Sequence, residues 1–84
     1  MKFKAHIHIL PLEEILDPQG KSVELGLKNL NLKGITQVRI GKYITLLLDA
    51  MNEKDATEMV DMACKKLLAN PIMENYSFHL DTIN

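Results

Sequence analysis

The stretch Ile35-Thr36-Gln37-Val38-Arg39-Ile40-Gly41-Lys42-Tyr43-Ile44-Thr45-Leu46-Leu47-Leu48 decides how this chain is to be folded. Apolar and β-branched residues fill both halves, and Gly41-Lys42 lies between them. Ile35 to Ile40 and Tyr43 to Leu48 read as two strands. Val38 and Ile40 face one side of the first, with Gln37 and Arg39 on the other. In the second, Ile44, Leu46 and Leu48 share a face, opposite Tyr43, Thr45 and Leu47. A two-residue connection predicts a tight hairpin with Gly41 at positive φ. A long bent pair of strands exchanged between subunits fits the same pattern. Either way, Arg39, Gly41 and Lys42 make a basic corner suited to partner contact rather than core packing.

Upstream, Lys2 to Leu10 alternates as a half-buried strand, with Phe3, Ala5, Ile7 and Ile9 on its apolar side. Pro11 ends it, and Asp17-Pro18-Gln19-Gly20 is turn chemistry. A helix is predicted from Gly20 or Lys21 to Asn31, with Val23, Leu27 and Leu30 facing inward. Gly26 beside that stripe suggests close approach to the sheet, and Asn31 and Gly34 are stop signals. Downstream, Asn52 reads as an N-cap, with Glu53 and Asp55 complementing the helix dipole. Ala56, Met59, Val60, Ala63, Leu67 and Leu68 recur at helical spacing, with Cys64 at the edge of the stripe. Lys65 and Lys66 sit near the end, and Asn70-Pro71 closes the helix. Glu74 to Leu80 is a last strand, with Tyr76, Phe78 and Leu80 in phase. The predicted fold is α+β: a single domain over 1–84 in the order β-α-β-β-α-β, with a ferredoxin-like four-stranded antiparallel sheet and two helices on one face.

A chain of 84 residues buries only ~60–65% of its unfolded surface, so a lone core is marginal and association is a usual remedy. Cys64 is the only cysteine, which excludes an internal disulfide. With no signal peptide or long apolar run read from the sequence, a reducing cytoplasm is expected. Ten basic and eleven acidic residues leave a net charge of −1, too little to draw the chain to nucleic acid or an anionic membrane. The predicted outer sheet face carries Leu10, Leu47, Tyr43 and the stems of Arg39 and Lys4. Another chain is expected to cover it.

Residues that could carry chemistry are few. His6, His8 and His79 fall on that helix-free face if the first and last strands are neighbours, and an H-x-H pair on a strand can ligate Zn²⁺. Outward polar positions commonly hold histidine, however, and no carboxylate is evident near them, so no metal site is predicted. Cys64 sits within the amphipathic helix, away from any activating terminus, and reads as a buried structural thiol. Glu13, Glu14 and Asp17 read as a solvated loop. Gly20-Lys21-Ser22 opens a helix but lacks the paired glycines of a phosphate loop, so a helix cap explains it better. Tyr43 alone could stack a base, which argues against RNA binding.

Asp17-Pro18-Gln19-Gly20, Val38-Arg39-Ile40-Gly41-Lys42 and Cys64-Lys65-Lys66-Leu67-Leu68-Ala69-Asn70-Pro71, followed by Glu74-Asn75-Tyr76, occur in the order and spacing of one family. In them the chain resembles PurS, the small subunit of bacterial and archaeal phosphoribosylformylglycinamidine synthase. Each motif is weak alone, but the set is specific and covers nearly the whole chain. Met73 departs from the branched aliphatic more usual in the family, and Asn29 and Asn31 make their segment Asn-rich.

The resemblance implies a non-catalytic subunit of the enzyme that makes formylglycinamidine ribonucleotide from formylglycinamide ribonucleotide, ATP and glutamine in purine synthesis. It implies a homodimer, in some cases a tetramer, joined to a PurQ-type glutaminase and a PurL-type synthetase so that ammonia passes between them. No cofactor is implied on this chain, since ATP and Mg²⁺ are used by the large subunit. Arg39, Gly41 and Lys42 match the family's basic hairpin, and Asn70 and Pro71 its helix-end motif. All five are expected at partner contacts, with Asn70-Pro71 partly structural. Arg39→Ala with Lys42→Ala is expected to weaken complex formation more than thermal stability. A free-standing ligand-sensing module of the same element order is the alternative.

Overall fold

The computed structural model describes residues 1–83. The alternation that starts at Lys2 forms strand β1 (Lys2–Pro11), whose Phe3, Ala5, Ile7 and Ile9 are at most 1% exposed. Strands β2 (Lys42–Asp49) and β3 (Glu74–Ile83) pair with it antiparallel on either side, giving a three-stranded sheet of order β2-β1-β3. Register sets Ile44 and Phe78 beside Ile7, and Leu46 and Leu80 beside Ala5, so one face is apolar across all three strands.

Helix α2 (Glu53–Ala63) packs on that face. Asn52 caps it as predicted, its side chain accepting from the Asp55 N–H at 2.8 Å. Ala56, Val60 and Cys64 are buried, the last two in one cluster with Ala5, Ile7 and Ile9. A π-helical turn at Cys64–Leu68 follows, closed by the Ala69 N–H donating to the Cys64 carbonyl at 3.0 Å. Its extra residue shifts the helical phase, so Ala69 is buried while Leu67, predicted on the inner stripe, is 83% exposed. Met59 is exposed as well.

The expected strand at Ile35 to Ile40 does not form, and the four-stranded β-α-β-β-α-β sheet is corrected to a three-stranded β-α-β-α-β arrangement within the same α+β class. The cause lies in where its N–H groups go. Val38 N–H donates to Glu24 Oε1 at 3.3 Å and Ile40 N–H to Asp17 Oδ2 at 2.8 Å, so side chains take donors that a sheet ladder would need. Positive φ at Gly34 (88°) and Gln37 (57°) also interrupts extension. Gly41 is not in the positive-φ region, so no tight hairpin turn forms there.

Helix α1 (Pro18–Asn29) begins two or three residues earlier than predicted, because Asp17 is its cap and Pro18 its first residue. It ends in a Schellman motif: Leu32 N–H bonds the Leu27 carbonyl, Asn31 N–H bonds the Lys28 carbonyl, and Asn31 adopts φ 64°. Its stripe does not face the sheet. Val23 and Leu30 are exposed, Leu27 is half-buried, and nothing lies within 4 Å of a Cβ built at Gly26. One helix, about 10–12 Å across, therefore covers three strands spaced about 4.8 Å apart, and the flanking Ile44, Leu48, Tyr76 and Leu80 stay only partly buried. The radius of gyration is 16.4 Å, against about 12 Å for a compact domain of this length. Among the described residues no helix is long and apolar enough to cross a membrane.

Tyr76 ties β3 to α2 by donating to Asp61 Oδ1 at 2.5 Å, while Lys65 holds Asp61 Oδ2 at 2.9 Å. The bond to Asp61 pushes the phenol from its ordinary 10.0 up to about 12. The neutral phenol is the stabilised form, so its contribution holds below pH about 10 and is lost as pH rises through about 12. In Tyr43→Phe, where Tyr76 is the remaining tyrosine, ultraviolet difference absorption should show phenolate forming near pH 12. Adding Asp61→Asn should return the transition toward 10; an unchanged transition would mean the bond is absent in solution.

Candidate functional site

Three segments converge where β1 ends. β1 delivers Leu10 and Pro11, the incoming chain delivers Gly41 and Lys42, and the turn after the π-helix delivers Asn70, Pro71 and Met73. Glu74 joins the last two. Its Oε1 accepts the Asn70 N–H at 2.8 Å, and its Oε2 lies 3.6 Å from Lys42 Nζ. Asn70 Oδ1 accepts from Ile72 N–H at 3.0 Å, an Asx turn that fixes the exposed Pro71-Ile72 tip. Pro11, Ile15, Lys42, Asn70, Met73 and Glu74 line a cavity of about 380 Å³. Its walls combine apolar surface with one ion pair and no nucleophile, an arrangement that can hold a protein segment but offers no acid–base pair for catalysis.

A glycine at 41 is demanded by proximity. A Cβ there would fall on the carbonyl oxygen of Ile9 and 2.6 Å from Leu10 Cδ2. Behind the corner, Asp17 and Arg39 clasp two loops together. Asp17, 8% exposed, accepts from Gly20 N–H at 3.0 Å and from Ile40 N–H at 2.8 Å. The bond from Ile40, then that from Gly20, then the Arg39 charge hold its carboxyl below the ordinary 3.8, against the opposing effect of burial. Gly20 is needed beside it, since a Cβ there would meet the Val38 carbonyl and Asp17 Oδ2. Arg39 Nη2 donates to the carbonyls of Leu12 and Ile15 at 2.6 and 3.0 Å.

Known proteins share the sequence and fold of this chain as a whole. A family model described as PurS, phosphoribosylformylglycinamidine (FGAM) synthase, matches residues 4–82. The chain belongs to the PurS family. A curated relative, the phosphoribosylformylglycinamidine synthase subunit PurS of Synechocystis sp., is 41% identical over 81 residues, 96% of this chain and 81% of the relative. PurS of Thermus thermophilus superposes with a TM-score of 0.86 at 36% identity, over 100% of both chains. A chain in the structure of PurLQS from Thermotoga maritima gives 0.88 at 32% identity, covering 96% of this chain and 99% of that one.

In this PurS-family chain the sequence-predicted residues divide. Lys42 and Asn70 line one cavity and Gly41 and Pro71 adjoin it in sequence, while the Arg39 head group turns into its own chain. Sequence reasoning missed Glu74, which links Lys42 to Asn70, and the double role of Asp17. An Asp directly before Pro in front of a helix was a legible N-cap signal; the Ile40 bond had no local signal. His6, His8 and His79 share the helix-free face as expected, but the reading that no carboxylate lies near them is corrected: Asp81 stands beside His6 and His79. Cys64 is buried and free, and burial pushes its thiol up, as befits a structural residue.

Proposed function

We propose that this chain is the non-catalytic assembly subunit of a phosphoribosylformylglycinamidine synthase. In this reading it joins a PurQ-type glutaminase to a PurL-type synthetase, so that ammonia released from glutamine reaches formylglycinamide ribonucleotide without escaping. The observation that carries this is the near-complete match to the PurS chain of a PurLQS structure. ATP and its Mg²⁺ are then held by the large subunit, and the cytoplasm is where the complex works. Association suits the open shape. Among the described residues β2 and β3 each leave one edge unpaired, and Leu47 at 68% and Leu30 at 69% exposure leave apolar surface for a second copy or a partner to cover. Gly41, Lys42, Asn70 and Pro71 present the corner to a partner, and Arg39 shapes it from behind.

Reconstitution tests the reading. Purified synthetase and glutaminase should show glutamine-dependent synthesis only when this chain is added, whereas synthesis from ammonia should need the synthetase alone. Equal glutamine-dependent rates with and without the chain would overturn it.

A further inference from the structure

We propose that His6, His79 and Asp81 form a binding site for a divalent first-row cation, with Zn²⁺ the ion best suited to the donor set. The fold builds the group from strand geometry. His6 on β1 pairs directly with His79 on β3, and Asp81 lies two residues further on the same face, so all three project from the side of the sheet opposite α2. Their ligating atoms lie within 4.8 Å of one another. His6 Nε2 stands 3.0 Å from Asp81 Oδ2, and the His6 and His79 rings stack at 4.5 Å with planes 9° apart.

Tyr43 supplies the orienting contact. Its hydroxyl bonds His6 Nδ1 from the neighbouring strand. When His6 carries its proton on Nδ1 and donates it to Tyr43, the lone pair of Nε2 faces a carboxylate, and two acceptors facing each other call for a cation between them. When the proton sits on Nε2, it occupies the place a metal would take. Zn–N and Zn–O bonds of about 2.0–2.2 Å put tetrahedral ligands about 3.3 Å apart, close to the His6–Asp81 separation. His79 is exposed and can turn its ring to complete three donors. A second contact behind a ligating histidine is what metal sites use to fix ring orientation. Two imidazoles and one carboxylate suit Zn²⁺ or Co²⁺ and leave a fourth position for water or an outside donor. Lys4 pairs with Asp81 in register, so a cationic side chain shares this face with the triad and competes for the carboxylate. His8 stacks on Tyr43 at 4.9 Å and lies outside the triad.

Co²⁺ titration of the untagged full chain, followed by visible absorption, tests the site. One Co²⁺ should bind per chain, with ligand-field bands abolished by one equivalent of Zn²⁺. His79→Ala and Asp81→Asn should each weaken binding roughly tenfold or more, and Tyr43→Phe by about tenfold. His8→Ala should change it less than about threefold. Circular dichroism checks that each variant stays folded, and Asp81→Asn, nearly isosteric on an exposed position, remains decisive if an alanine variant unfolds. An absence of saturable Co²⁺ bands, or binding unchanged in both Asp81→Asn and His79→Ala, would overturn the proposal.

Discussion

Gly41→Ala should cost the chain about 3 kcal/mol or more and lower its Tm by roughly 12–24 °C, measured by circular dichroism at fixed protein concentration. The added methyl would lie on the Ile9 carbonyl oxygen and against Leu10 Cδ2. Leu10 is 48% exposed and its tip can move away. Ile9 cannot, because it is part of the ladder that registers Ile9 with Lys42. Relief requires β2 to retreat from β1 at its first pair, which loosens the corner and the central strand together. Gly26→Ala is the matched contrast. With open space around its Cβ and no positive φ, it should raise stability by about 0.5–1 kcal/mol through helix propensity alone. A Tm for Gly41→Ala within a few degrees of the parent would show that the close approach at Ile9 is absent in solution.

Arg39→Ala should lower the Tm by roughly 6–20 °C, whereas Lys42→Ala should leave it within about 4 °C and weaken complex formation. The sequence treated these two residues as one basic feature acting on a partner. The geometry separates them. Arg39 donates to the Leu12 and Ile15 carbonyls, and its loss leaves both without that donor. Lys42 meets Glu74 at 3.6 Å on a half-exposed surface, a pairing that contributes ~0–1 kcal/mol. Asp17→Ala should resemble Arg39→Ala, since it removes the α1 cap and frees the Ile40 N–H. Because the Asp17 carboxyl is held below its ordinary 3.8, its contribution is complete above that value and is lost as pH falls through the lowered one. Acid unfolding of Asp17→Ala should therefore lack part of the steep stability loss below pH about 4 that the parent shows. Equal Tm losses for Arg39→Ala and Lys42→Ala would contradict this division.

Local signals carried well where one period dominates. β1 was legible because alternate residues are either fully buried or outward, and α2 because Asn52 caps an unbroken 3.6-residue stripe through Cys64. What failed depended on distant partners. Ile35 to Ile40 has strand composition, but Asp17 and Glu24 claim its N–H groups from 23 and 14 residues away, respectively. Val23, Leu27 and Leu30 recur at helical spacing, but that stripe does not face this chain's own sheet, and Val23 and Leu30 stay exposed. The π-turn moved Leu67 outward with no warning in its residue types. Of the candidate corner, Gly41, Lys42, Asn70 and Pro71 were legible, and Glu74 was not, because its bridging role appears only when Pro11 pairs with it. Asp81 escaped notice because the last strand was ended at Leu80, one residue before the position that two-residue alternation assigns to the His79 face.

The molecule measures 51 × 28 × 14 Å, so in its thinnest direction it is little more than a sheet and one helix deep. A body that shallow shelters few backbone amides, and a copy made without partners spends more of its time open to proteases. Synthesis of this subunit in excess of its partners should yield degradation products rather than a reserve pool.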